Sequence, residues 1–226
     1  MNNQKLDQSY HVSRIVQEFV QAQLKLKDVP PAVSIFGSAR TPLDNEMYQK
    51  SEILARMLSD HGFSVISGGG PGIMEAANKG AKAGESLSIG LNIALPHEQK
   101  PNDYQDVSVM FEHFFSRKMM FILHSVAHVV MPGGFGTLDE FTEVLTLVQT
   151  HKIPPVPIIL CGSEFWGGLM DWIRQVLLSQ KMISPNDLDL IQIIDEPEEI
   201  VKIICQHGQN LCAAGDILCN ERFFKL

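Results

Sequence analysis

Positive charge is scarce in this 226-residue chain: 18 Lys and Arg stand against 26 Asp and Glu, a formal net charge of −8. With an isoelectric point near 5.4, that balance argues against a nucleic-acid polymer or a membrane surface as partner. It leaves open a small phosphorylated ligand, which responds to the field of one site. No apolar run approaches the roughly 20 residues a bilayer-crossing helix needs. The opening Met1-Asn2-Asn3-Gln4-Lys5 lacks a signal peptide's apolar core, so the cytoplasm is the expected compartment. Cysteine is sparse as well. Cys161, Cys205, Cys212 and Cys219 form no C-x-x-C pair, and His207 is the one histidine near the last three. They read as idle thiols rather than a metal or redox centre, although their seven-residue spacing would align the last three on a continuous helix. His97, His113, His124, His128 and His151 show no H-E-x-x-H spacing. G-x-x-x-x-G-K-[ST] and G-x-S-x-G are also missing, which excludes a P-loop ATPase and an elbow-type serine hydrolase. Neither a metal nor a cofactor is expected.

What the chain does have is alternation. Val12, Ile15, Val16, Phe19, Val20 and Leu24 give residues 9–26 an amphipathic helical pattern. After Pro30-Pro31, strands are expected at 32–36, 63–66, 87–92, 107–111, 127–131, 156–160 and 191–194. Helices are expected at 46–59 (Ile53, Leu54, Met57 and Leu58 inward), from 73 to about 82, at 115–124, from 138 to about 150, at 165–178 and at 197–205. A polar loop with Pro96 and Pro101 interrupts the series. Such alternation predicts an α/β fold of three layers, a mostly parallel sheet with helices on both faces. Without repeats or composition breaks, residues 1–226 read as one domain, with an extra helix at 9–26 and a core at about 30–205. Trp166 and Trp172, on a late helix, read as core.

Ligands of such sheets bind beyond the carboxyl ends of the strands, where four segments should converge: Gly37-Ser38-Ala39-Arg40, Gly68 to Gly72, Ser116-Arg117-Lys118, and Pro132 to Thr137. The last is the most informative. Pro132-Gly133-Gly134-Phe135-Gly136-Thr137-Leu138-Asp139-Glu140 follows a buried strand and opens a helix. That geometry aims backbone N–H groups and a helix dipole at one point, where an anion can sit. Gly133, Gly134 and Gly136 permit close approach, Thr137 adds a hydroxyl, and Glu140 lies about one turn in.

Gly68-Gly69-Gly70-Pro71-Gly72-Ile73-Met74-Glu75 also joins a strand to a helix. It fails as a dinucleotide fingerprint, because Ile73 replaces the third glycine and no carboxylate ends the next strand at Leu91-Asn92. Four glycines in five residues favour close approach of a ligand over a tight turn alone. Glu75 either complements the helix dipole or touches ligand. Arg117 and Lys118 open a helix at the end cations disfavour, which a bound anion or a neighbouring carboxylate would offset. Arginine suits forked binding of phosphate or carboxylate.

Together, G-S-A-R at 37–40, G-G-G-P-G-I-M-E at 68–75, S-R-K-M at 116–119 and P-G-G-F-G-T-L-D-E at 132–140 resemble the LOG family. These are nucleoside 5′-monophosphate phosphoribohydrolases that release cytokinin bases and were long described as lysine decarboxylases. The resemblance spans roughly residues 30–205 and lies nearer the larger bacterial branch. It implies a Rossmann-like fold and a homodimer or higher homo-oligomer with sites near the interface. It also implies Arg117 and Glu140 as catalytic residues, and a phosphate loop of Gly133, Gly134, Gly136 and Thr137. Gly37, Ser38, Gly69, Gly70, Met74, Glu75 and Lys118 complete the expected substrate contacts. The implied reaction is hydrolysis of the N-glycosidic bond of a purine or cytokinin-type nucleotide to free base and ribose 5-phosphate. The alternative is a non-catalytic nucleotide or molybdenum-cofactor carrier of the same fold. A pyridoxal-type decarboxylase needs a Schiff-base lysine, and the sequence marks none out.

Overall fold

The computed structural model describes residues 2–95 and 100–217, with side chains from Val12 onward; Pro96, His97 and Cys219 lie outside the described residues. Helix α1 (Asn2–Leu26) precedes strand β1 (Ala32–Phe36). Then come α2 (Glu46–Asp60), β2 (Ser64–Ser67), α3 (Ile73–Ala83), β3 (Ser88–Ile93), β4 (Val107–Phe111), α4 (Phe114–His124), β5 (Ser125–Val130) and α5 (Phe135–Gln149). β6 (Ile158–Leu160), α6 (Ser163–Trp172), β7 (Ile191–Ile193) and α7 (Pro197–Ala214) complete the order. The seven strands form one sheet, β4-β3-β2-β1-β5-β6-β7, in which every pairing is parallel. The inner strands β1, β2 and β3 are buried at every position, as expected of strands covered on both faces.

Two apolar layers sandwich the sheet. Met120, Phe121, Phe141, Val144, Trp166 and Met170 of α4, α5 and α6 fill one, together with Ala22 and Leu26 of α1. Leu54, Ala55, Leu58, Ala77, Ile200 and Ile204 of α2, α3 and α7 fill the other. Cys205 and Cys212 lie buried on one side of α7, which runs nine residues beyond the expected end at 205. The expected helix at 165–178 is α-helical to Trp172 and then π-helical over Ile173–Leu178. Trp166 is core, its indole N–H donating to the Cys161 carbonyl (3.2 Å), whereas Trp172 is half exposed.

Periodicity misassigned part of one inward face and left the packed side of α1 open. In α2, Ile53 is 52% exposed, and Tyr48, Ser51 and Ala55 are buried beside Leu54 and Leu58. In α1, Val12, Val16, Val20 and Leu24 all point outward, while Ala22 and Leu26 are buried. Steps of four residues advance about 40° beyond a full turn, so that row winds off the packed side. The helix carries apolar residues on two faces, and tertiary contact selects the one with Phe19, Ala22 and Leu26. No helix among the described residues is long and apolar enough to cross a membrane.

Candidate active site

The strand order reverses between β1 and β5, the position where parallel sheets open a crevice beyond their carboxyl ends. The chain segments leaving that edge are bonded to one another. The Ser38 N–H donates to the Pro132 carbonyl (3.0 Å), the Met131 N–H to the Phe36 carbonyl (2.8 Å) and the Ile73 N–H to the Ser38 carbonyl (3.0 Å). A Cβ on Gly37 would stand 2.4 Å from Ile73 Cγ2, so close docking of α3 accounts for that glycine.

The N-terminus of α5 faces this crevice uncapped. Its N-cap, Gly134, has extended backbone and no capping side chain, and no acidic residue occupies the first turn. Thr137 is buried, and Gly133 is needed because a Cβ there would lie 2.2 Å from Thr137 Oγ1. Gly134 and Gly136 are different: added Cβ atoms would meet nothing within 4 Å. No protein contact requires glycine at either position, and both are exposed beside free helix-end N–H groups.

Arg117 and Glu140 meet beside that helix end. Arg117 is 7% exposed. Its Nε–H donates to the Leu91 carbonyl (2.8 Å), and its guanidinium lies 5.3 Å from the Phe121 ring centre. Nη1 stands 3.8 Å from Glu140 Oε1, an ion pair too long to be a hydrogen bond. Among the described residues no hydrogen bond to the Glu140 carboxylate is formed. Burial pushes its pKa up to about 7, against the pull of Arg117 and Lys118 and aided by Asp139 and Glu143. Burial likewise lowers the Arg117 pKa, opposed by Glu140. The site therefore holds a carboxylate with unused acceptor capacity, poised to change protonation near neutral pH.

The other expected contacts divide. The Lys118 Nζ bonds Asp139 (2.9 Å) and Glu143 (3.2 Å) on α5; burial would lower its pKa, but these carboxylates win and raise it. Glu75 accepts from the buried Tyr48 hydroxyl (3.0 Å). Gly69 spends its N–H on Ser67 Oγ (3.0 Å), and its carbonyl accepts from the Asn102 N–H and from Gln105 Nε2 (2.9 Å). The Gly70 carbonyl accepts from Asn102 Nδ2 (3.0 Å). With φ +73° and a virtual Cβ only 2.1 Å from Asn92 Oδ1, Gly69 is explained by packing alone. Met74 places Sδ against Gly68, 2.5 Å from a virtual Cβ. His128 is buried with neither ring nitrogen bonded, pushed down to about 3 by burial and stacked on Phe36.

Sequence reasoning passed over several residues. Gly68 is one: a Cβ there would stand 2.3 Å from Arg117 Nη2, so its bareness admits the guanidinium. Phe135, 90% exposed at the start of α5, and Glu18 are others. Only the absence of an acidic residue in the first turn of α4 hinted that a carboxylate would come from elsewhere.

The all-parallel sheet, with an open helix end and a largely buried Arg–Glu pair at its reversal point, defines an α/β protein with a candidate ligand site over the strand termini. A family model described as "possible lysine decarboxylase" matches residues 74–204, and the chain belongs to that family, the LOG family of the motifs above. It is 25% identical over 171 residues to a cytokinin riboside 5′-monophosphate phosphoribohydrolase of Mycobacterium tuberculosis, covering 73% of this chain and 88% of that protein. It is 24% identical over 174 residues to a pyrimidine/purine nucleotide 5′-monophosphate nucleosidase of Escherichia coli, covering 72% of this chain but 38% of that protein. The molybdenum cofactor carrier protein of Chlamydomonas reinhardtii superposes with a TM-score of 0.56 at 20% identity, covering 79% of this chain and 98% of that one. That last likeness concerns the fold.

Proposed function

We propose that the protein is a nucleoside 5′-monophosphate phosphoribohydrolase, which hydrolyses the N-glycosidic bond of a purine or cytokinin-type nucleotide. The observation that carries this reading is the largely buried Glu140 carboxylate, without a hydrogen bond among the described residues, 3.8 Å from Arg117 and about one turn from an uncapped helix end. The N-terminus of α5, with Gly133, Gly134, Gly136 and Thr137, takes the 5′-phosphate. Remote binding energy there orients the ribose over Glu140. As the bond to the base breaks, positive charge grows at the anomeric carbon. Ionised Glu140 stabilises that charge and orients the attacking water. Water adds to the carbon, its proton is passed on, and the base leaves with the bonding electrons and a proton. Arg117 holds Glu140 in place and in its ionised form. The names of the Mycobacterium and Escherichia relatives agree with this chemistry.

The family's decarboxylase description does not fit the residues. A Schiff-base lysine must reach its neutral amine form, and Lys118 beside the pair is held protonated by two carboxylates. The test is a panel of AMP, GMP, CMP, UMP and isopentenyl-AMP, with free base and ribose 5-phosphate quantified. Release from one of them supports the hydrolase. Tight binding without release from any would favour the carrier function and sink the hydrolase.

The phosphate loop has its own test. Gly136→Ala adds a methyl group into open space and should not destabilise the fold, since alanine in a helix is favoured by about 0.8–1 kcal/mol over glycine. It should nonetheless raise KM about tenfold or more, the cost of roughly one charge-assisted hydrogen bond, by holding the phosphate off the helix end. Unchanged KM would remove this loop from the substrate site.

The active unit is a homodimer or a higher homo-oligomer. Phe114 and Phe115 of α4 and Phe135 of α5 are each at least half exposed on the segments that carry Arg117 and Glu140, and exposed apolar residues so placed suit an interface. Light scattering should return a mass at least twice the 25.2 kDa of the chain; a monomer would overturn this.

A further inference from the structure

Helix α4 presents Arg117, yet it is poorly closed by its own sequence. Its N-cap residue, His113, makes no capping hydrogen bond, and its first turn has no acidic residue. Arg117 and Lys118 then place two cations near the end that repels them. The missing carboxylate arrives from α1, a helix outside the alternating strands and helices. Glu18 Oε2 accepts from the Ser116 hydroxyl (2.5 Å). Its Oε1 accepts from the Glu112 N–H (2.9 Å) and lies 3.1 Å from His113 Nδ1. Ser116 is wholly buried and immediately precedes Arg117. Burial would raise the Glu18 pKa, but the hydrogen bonds from Ser116, Glu112 and His113 outweigh it and hold the carboxyl below its ordinary value.

The rest of α1 holds this carboxylate in place. Arg14 pairs with Glu112, Gln23 bonds His124 at the far end of α4 (3.1 Å), and the Lys25 ammonium donates to the Ser108 carbonyl on β4 (3.0 Å). α1 is thus fastened along both β4 and α4, with the multiply bonded Glu18 carboxylate at the end of α4 that faces the site.

We propose that Glu18 is a positioning residue for Arg117: by binding the Ser116 hydroxyl and the Glu112 N–H, its carboxylate ties the start of α4 to α1 and sets the register in which that helix presents the guanidinium to Glu140. The proposal rests on the reading of Arg117 and Glu140 as the reacting pair. Arg117 has little latitude, since Leu91 and the bare face of Gly68 confine it, so a small shift of α4 opens the gap to Glu140.

The experiment compares Glu18→Ala, Glu18→Gln and Ser116→Ala with the wild type, using the nucleotide that the wild type cleaves best. In Glu18→Ala, kcat should fall about tenfold to a hundredfold while KM stays within about twofold, because phosphate anchoring on α5 is untouched. The acid limb of the pH–rate profile should move to higher pH. Arg117 then stands farther from Glu140, Lys118 remains tied to α5, and Asp139 and Glu143 still disfavour ionisation. Glu18→Gln should rescue part of the loss, since its amide oxygen still accepts from the Glu112 N–H, and Ser116→Ala should fall between. Independently of turnover, the Arg117 Nε–H resonance, assigned by its loss in Arg117→Lys, should shift in Glu18→Ala. Folded variants with unchanged kcat and an unmoved resonance would overturn the proposal, as would loss of melting temperature with the resonance unmoved. If Glu18→Ala does not fold, the other two variants decide. If the wild type releases no base, the hydrolase reading fails, and the resonance alone decides the positioning role.

Discussion

Replacing Glu140 by glutamine is expected to lower kcat for base release by about a thousandfold or more, with nucleotide binding largely retained. The magnitude follows from losing the negative charge set against a developing cation in a water-poor site, an effect of about 3–4 kcal/mol or more. Binding should survive because the proposed phosphate anchor is on α5, one turn away, and glutamine occupies nearly the same volume. The same residue sets the pH dependence. Its pKa is pushed up to about 7 by burial, and in the proposed reaction the ionised form is the active one. Activity is then lost as pH falls through that value and gained above it. For a single group titrating there, kcat/KM should rise about tenfold between pH 6 and pH 8. A flat profile across that interval, or a glutamine variant with wild-type turnover, would remove Glu140 from the chemistry.

Gly68→Ala is expected to be nearly as damaging, although no substrate need touch Gly68. The new methyl would lie 2.3 Å from Arg117 Nη2 and 2.5 Å from Met74 Sδ, well inside contact distance. An exposed arginine would swing away, but this one is bonded to Leu91, seated against Phe121 and buried, so relief requires giving up contacts. Overpacking of this kind costs about 1–3 kcal/mol of stability. A displacement of about 1 Å at the reacting pair costs on the order of a hundredfold in kcat. Both should be seen: a lower melting temperature and a fall in kcat. Wild-type kcat in Gly68→Ala would show that the position of Arg117 is not critical. The contrast with Gly136→Ala is the useful one, since that glycine has open space around it and should affect KM instead.

Local sequence was enough for much of this. Runs such as Ala32–Phe36 and Ala127–Met131 are apolar without alternation, which only strands covered on both faces tolerate. The glycine clusters at 68–72 and 132–136 marked strand-to-helix turns because so few other residues permit such close approach. Boundaries were less legible. The helix at 197 continues to Ala214 past Gly208, because packing of Cys205, Gly208 and Cys212 against the sheet outweighs glycine's local cost. Ile53 was assigned inward by period alone, and the neighbouring elements chose another face; of the amphipathic pattern in α1, Val12, Val16, Val20 and Leu24 stayed exposed.

The sequence by itself determined the class of the fold, the family, and the segments that form the site, because each is written in residues close together along the chain. Only the tertiary structure decided the strand order that sets β1 beside β5, and with it the convergence of Ser38, Ile73 and Pro132. It alone separated glycines required by packing, at 37, 68, 69 and 133, from those with open space, at 134 and 136. It alone tied Lys118 to α5 and brought Glu18 to the end of α4 across 98 residues of chain. The physical reason is common to all of these. A virtual Cβ clash, an ion pair and a carboxylate bridging two helices depend on distances between segments remote in sequence, and no local pattern of residues encodes them.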